Sequence, residues 1–162
     1  MSTPPVLILG WGNDSRGDDA IGPLLVRRIA AHVQAQAWHD QVECLEDYQL
    51  QIEHCMDLQH RKHVLFIDAS TAAHAPFVTS DVTAAEDFTP SSHALSPAGL
   101  LAVYQRVHDA SPPACTVLAV QGKSYELGAA MSLQAQDNLN LAEQWVHQWL
   151  PAVLGLAVES HT

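Results

Sequence analysis

Four side chains are placed to do chemistry: Asp18, Asp19, Asp68 and His93. Asp18 and Asp19 follow Gly17 in a glycine-punctuated loop between an apolar run and a helical pattern that opens at Pro23. Asp68 interrupts the run Val64-Leu65-Phe66-Ile67 at its carboxyl end. His93 stands just before Ser96-Pro97, which supply the cap and first position of another helix. Of these, Asp19, Asp68 and His93, two carboxylates and one imidazole, make a mixed oxygen and nitrogen donor set suited to nickel, zinc or ferrous iron. Such a set would serve metal-assisted hydrolysis.

Each residue also has a plainer role open to it. Asp18 or Asp19 can cap the helix that follows, where negative charge is favourable. We expect Asp18 to be the cap and Asp19 the ligand. Asp68 can hold a neighbouring loop through backbone N–H groups, since an uncompensated carboxylate at the end of a buried strand is costly. His93 is one of ten histidines, so a histidine before a helix can arise by chance. Gly10, Gly12 and Gly17 would let backbone approach a ligand closely.

The elements that must position these groups are legible as a pattern. Val6–Leu9 reads as a buried strand, and Ile21, Leu25, Ile29 and Val33 mark one stripe of a helix. Val42–Leu45 is a shorter strand, Glu46–Gln49 a turn, and Leu50–Leu58 a helix with Ile52, Cys55 and Met56 inward. Val64–Ser70 is a buried strand and Phe77–Val82 an edge strand. Leu100, Val103, Tyr104 and Val107 form the inner stripe of the next helix. Thr116–Val120 gives the last buried strand, and 121–130 is irregular. The last helix opens at Ser132, with Leu139, Ala142, Val146 and Trp149 inward. The apolar tail beyond Pro151 can dock on the body or fray. Strands alternating with helices predict one domain over residues 1–162. Its expected fold is a three-layer α/β/α sandwich with a mostly parallel sheet of about five strands. In such a sheet the carboxyl ends of neighbouring strands converge, so distant residues can meet at one rim.

Bulk properties narrow the partners. The chain has 162 residues, 48% of them apolar, which suits a globular protein with a real core. The net charge of −11, with only seven Lys and Arg, disfavours nucleic acid and anionic membranes as partners. No apolar run approaches a membrane span, and the N-terminus lacks the basic and apolar regions of a signal peptide. A cytoplasmic monomer is expected. Cys44, Cys55 and Cys115 form no C-x-x-C pair and read as small hydrophobes. Gly10-Trp11-Gly12 lacks the third glycine of a dinucleotide fingerprint, and the acidic pair would repel a pyrophosphate. No Walker sequence, G-x-S-x-G elbow or H-E-x-x-H helix is present.

Gly10-Trp11-Gly12-Asn13 followed by Gly17-Asp18-Asp19-Ala20-Ile21-Gly22-Pro23 resembles the opening of the [NiFe]-hydrogenase maturation endopeptidases, G-x-G-N then D-[DE]-x-x-G. Phe66-Ile67-Asp68-Ala69, His93 before a leucine-rich helix, and Gly128 through Ser132 continue the likeness in order. The resemblance implies a five-stranded sheet flanked by helices. It implies an endopeptidase that removes a C-terminal extension from the hydrogenase large-subunit precursor after nickel insertion. It maps the family's metal-contacting positions onto Asp19, Asp68 and His93. The nickel would belong to the substrate and act as the recognition signal. Where many members have D-G-G-T after the second strand, this chain has Glu46-Asp47-Tyr48-Gln49-Leu50. That segment and the Gly12–Gly17 loop look closer to the branch serving soluble, NAD-reducing hydrogenases. The mechanism expected is metal-assisted peptide hydrolysis, with Asp18 orienting the loop or acting as general base. A non-enzymatic, nickel-sensing chaperone of the immature subunit is the alternative. A nucleotide-binding regulator is a third class, which the acidic loop opposes.

Overall fold

In the computed structural model, which describes residues 2–85 and 95–156, the strands pair into one five-stranded sheet ordered β2-β1-β3-β5-β4. β1 (Val6–Trp11), β2 (Val42–Asp47), β3 (His63–Ser70) and β5 (Ala114–Gln121) run parallel. β4 (Phe77–Val82) runs antiparallel along β5, at the edge. The expected mixed α/β sheet is therefore present. β2 is longer than expected, because Glu46 and Asp47 pair with Gly10 and Trp11 instead of turning.

Strand alternation sends side chains to opposite faces. Val6, Ile8, Leu65, Ile67 and Ala69 pack with Ile21, Leu25, Ile29 and Val33 of α1 (Ile21–Ala35) and Leu139, Ala142 and Val146 of α3 (Leu133–Val153). Leu7, Leu9, Val64 and Phe66 face the other way, onto Leu100, Leu101 and Tyr104 of α2 (Pro97–His108). α2 and α3 begin as expected: Gly99 N–H donates to Ser96 Oγ (3.0 Å) and Ala135 N–H to Ser132 Oγ (3.1 Å). α1 differs. The chain enters it from a 3-10 turn, Gly17–Ala20, and no side chain caps it. Ile21 N–H already bonds the carbonyl of Asp18, so Asp18 is not the cap.

Two helical stripes also depart from expectation. Residues 50–58 contain only a 3-10 turn, Ile52–Met56, with Cys55 buried and Ile52 and Met56 exposed. On α2 the inner row is Leu100, Leu101 and Tyr104, with His108 Nε2 3.3 Å from the Cys55 carbonyl, so Val107 faces solvent. α3 continues through Pro151, and Val153 and Leu154 pack on the α1 side.

α1 and α3 meet through stacked imidazoles. His32 and His147 have ring centroids 4.0 Å apart, and His147 Nε2 lies 3.5 Å from Glu143 Oε2. Burial and the neighbouring His147 lower the His32 pKa, against an opposing pull from Glu143. The folded state thus binds its proton less readily than the unfolded chain. Stability from this contact is fully present above the unfolded value of 6.5 and is lost as pH falls through the folded pKa. Because Asp68 titrates over the same interval, the contact is read as a difference: between pH 7.5 and 5.5, His147→Gln should shift the change in denaturant midpoint toward greater stability at pH 5.5 than in the parent. An unchanged difference in the variant would refute the coupling.

Candidate active site

β1 and β3 are adjacent and parallel, so they end at one rim. Gly10 is in register with Ile67, which puts Asp68 beside the point where the chain leaves β1. Asp68 follows Val64 and Phe66 in the row that faces α2. The 3-10 turn Gly17–Ala20 packs against β3 and brings Asp19 to the same rim. Asn13 N–H donates to Asp19 Oδ2 (2.8 Å), which orients that carboxylate across the loop.

The two carboxylates feel each other. Burial, then the charge of Asp19, pushes the Asp68 pKa up to about 7, against a hydrogen bond from the Ala69 backbone. Among the described residues neither forms an ion pair with Lys or Arg. Two of the three expected metal-contacting side chains therefore share one rim. His93 lies outside the described residues. Leu95, two positions on, packs against the cluster that contains Phe66. Among the described residues no group of three His, Cys, Asp or Glu side chains gathers tightly enough to hold a metal ion.

Asp18 does something different from its neighbour. Its side chain is 1% exposed. It accepts from Lys123 N–H (2.7 Å), Ser132 N–H (2.7 Å) and the Ser132 hydroxyl (2.9 Å). Burial alone would raise its pKa. The donors from Lys123, Ser132 and Ser124 outweigh burial and hold the carboxyl below its usual range. Of the two roles expected for Asp18 in the mechanism, the geometry supports orienting a loop: it ties the connection between β5 and α3 to the 3-10 turn.

Tyr125 lies on that connection. Gly122 N–H donates to the carbonyl of Ser70, two residues past Asp68 (3.1 Å). A Cβ on Gly122 would sit 2.9 Å from Asp18 Cβ and 3.3 Å from Tyr125 Cε1, so only glycine fits between them. Burial, then Asp68, Asp19 and Asp18 in turn, push the Tyr125 phenol up to about 12. Its hydroxyl is buried, and among the described residues it has no hydrogen-bond partner.

No family model matches this sequence, and no curated protein matches it either. Solved structures do match. A [NiFe] hydrogenase maturation protease, HycI, from Thermococcus kodakarensis KOD1 superposes with a TM-score of 0.72 at 20% identity, covering 91% of this chain and 92% of that one. The hydrogenase maturating endopeptidase HybD from E. coli gives 0.69 at 22% identity, covering 94% of each chain. The hydrogenase 2 maturation peptidase from Thaumarchaeota archaeon SCGC_AB-539-E09 gives 0.62 at 21%, covering 90% of this chain and 97% of that one. The chain has the fold of the hydrogenase maturation proteases.

Within that maturation-protease fold, the loop glycines serve the protein itself. A Cβ on Gly12 would lie 2.0 Å from the Asp19 carbonyl oxygen, at φ +152°. One on Gly17, at φ +55°, would lie 2.6 Å from the Ser124 carbonyl oxygen. They let the loop close on its own turn and on the 122–132 connection. The segment after β2 holds a pair that sequence reasoning missed. Gln51 N–H donates to His54 Nδ1 (2.8 Å), so the ring proton sits on Nε2, 3.2 Å from Asp47 Oδ2. His54 is 8% exposed and both its nitrogens are engaged, so it braces the turn. These bonds explain why 50–58 is a turn and not a helix. The Asp47 carbonyl accepts from Gly12 N–H (3.0 Å), linking the turn to the site loop. Arg27 adds a second link, donating to Asp14 (2.8 Å) and Glu46 (2.6 Å).

Proposed function

We propose that this chain is an endopeptidase that removes the C-terminal extension of a [NiFe]-hydrogenase large-subunit precursor after nickel insertion. The observation that carries this is the Asp19 and Asp68 pair. Two carboxylates share a rim with no Lys or Arg paired to them among the described residues, in a fold that named hydrogenase maturation proteases share. A divalent cation arriving with the substrate would relieve the repulsion between them. Asp19, Asp68 and His93 hold the substrate's nickel, which docks the scissile bond in the cleft. Proximity then does much of the work, with a polarised carbonyl or an activated water completing it. The nickel is cargo of the precursor, and the protein needs no tightly bound metal of its own. The setting is cytoplasmic.

The test uses purified protein with precursor prepared with and without nickel. The expected result is a downward size shift of the nickel-loaded precursor alone. Asp19→Ala and His93→Ala should each slow processing at least 100-fold while leaving the folded circular-dichroism spectrum intact. Cleavage of nickel-free precursor at the same rate would refute recognition through the metal. Tight, nickel-dependent binding with no size shift would replace the peptidase by a nickel-sensing chaperone.

A further inference from the structure

Exposed apolar side chains gather where the chain leaves β2, next to the site loop. Tyr48, Ile52 and Met56 are 74%, 58% and 58% exposed. β2 lies at the sheet edge beside β1, with Asp47 in register with Trp11. The Asp47 carbonyl accepts from Gly12 N–H, so Tyr48 follows directly on the residue that holds the site loop. The segment is firmly braced. Asp47 Oδ1 accepts from Tyr48 N–H (2.7 Å), and Asp47 Oδ2 lies 3.2 Å from His54 Nε2. His54 and Cys55 take the inner side of the 3-10 turn, which leaves Ile52, Glu53 and Met56 on its outer side. A buried imidazole engaged at both nitrogens thus fixes a turn that presents apolar side chains outward. Apolar side chains exposed as a group and rimmed by polar ones mark interaction sites, and a rigid face loses little entropy on binding.

The rim is acidic. Glu46 and Asp47 are met by Arg27 and His54, but Glu53 and Asp57 form no ion pair among the described residues. We propose that Tyr48, Ile52 and Met56 dock a segment of the precursor that carries apolar side chains together with Lys or Arg. This deepens the peptidase role proposed above and rests on it. Glu53 and Asp57 draw the basic side chains, and the three apolar groups bury the rest. A second copy of this chain suits the face poorly. Two-fold pairing would set the acidic turn against itself, and each copy carries a net charge of −11. The face flanks the site loop and holds the precursor equally before and during the reaction, so it sets affinity and leaves the chemical step to the rim carboxylates.

The test is the triple variant Tyr48→Ser, Ile52→Ser, Met56→Ser on nickel-loaded precursor. The three side chains are exposed, so Tm should stay within about 5 °C of the parent. KM should rise at least about 10-fold, with kcat changed less than about two-fold. Glu53→Gln with Asp57→Asn should flatten the fall of kcat/KM with added salt. An unchanged KM in the triple variant, where the parent cleaves, would overturn the docking face and leave the peptidase role standing. A parent that binds the precursor without cutting it would refute the peptidase role; the docking face then stands if the triple variant weakens that binding about 10-fold and falls if it does not. A parent that neither binds nor cuts refutes both. A parent dimer in sedimentation that the triple variant splits would make a second copy the occupant and overturn the proposal. Should the triple variant melt lower than expected, Tyr48→Ser alone gives the answer, with a KM raised about threefold expected and an unchanged KM fatal to the proposal.

Discussion

Asp68→Asn should abolish processing and, at pH 8, make the protein more stable. The native carboxyl titrates near 7 instead of 3.8, so above pH 7 the folded state carries a charge it disfavours. That rise corresponds to about 4 kcal/mol at most. The sign follows from proton counting. Below about pH 4 the carboxyl is protonated both folded and unfolded, and it carries no penalty. Between about pH 4 and 7 the unfolded chain has released the proton that the fold retains, so stability falls as pH rises. Above pH 7 the penalty is constant. Asn keeps the shape and an acceptor for the Ala69 backbone while never ionising. The gain in Tm should thus be near zero at pH 4 and reach roughly 5–10 °C at pH 8. Thermal melts across that range check it, and a variant no more stable at pH 8 than at pH 4 relative to the parent would refute it. A residue whose removal stabilises the fold while ending the reaction is one kept for function.

The neighbouring carboxylate should behave in the opposite sense. Asp18→Ala leaves three donors from Lys123 and Ser132 facing an empty space, and should cost about 3 kcal/mol or more. The lowered pKa of Asp18 means its contribution is fully present above pH 3.8 and is lost as pH falls through the folded value. Urea unfolding at pH 7 should show the full deficit, and the deficit should shrink toward pH 3. Processing should also drop, because the 3-10 turn that carries Asp19 loses its tie to the 123–132 connection. A variant with parental stability at pH 7 would contradict the hydrogen-bond geometry.

These two aspartates show how far the sequence could be read. Their order in the chain, after Gly17 and before Pro23, announced a site loop, and the alternation of strands and helices announced the sheet. Which carboxylate faced inward was settled by Ser132 and Lys123, more than 100 positions away, and no local pattern encodes such a pairing. Asp18 was expected to cap α1; the intervening 3-10 turn took that role through the backbone. Cys44 and Cys115 behave as small hydrophobes within strands, as their surroundings suggested. His54 and Asp47 escaped notice because a turn-bracing imidazole has no spacing signature, and the period of 50–58 mimicked a helix. The 121–130 connection, which Asp18 ties down, has no period at all. The glycines at 122 and 128 marked that stretch as irregular, and only the fold shows that Gly122 is pressed against Asp18.

The strand order has a consequence for synthesis on the ribosome. Among the described residues β4 pairs only with β5, yet β5 begins at Ala114, well after β4 ends at Val82. At roughly 5–20 residues per second, the emerging strand waits a few seconds for its mate with both hydrogen-bonding edges bare. Its exposed Thr79, Ser80 and Asp81 make it a poor template for stray pairing during that interval. The nascent protein is thus guarded against clumping by the polarity of the very segment that must stay single longest.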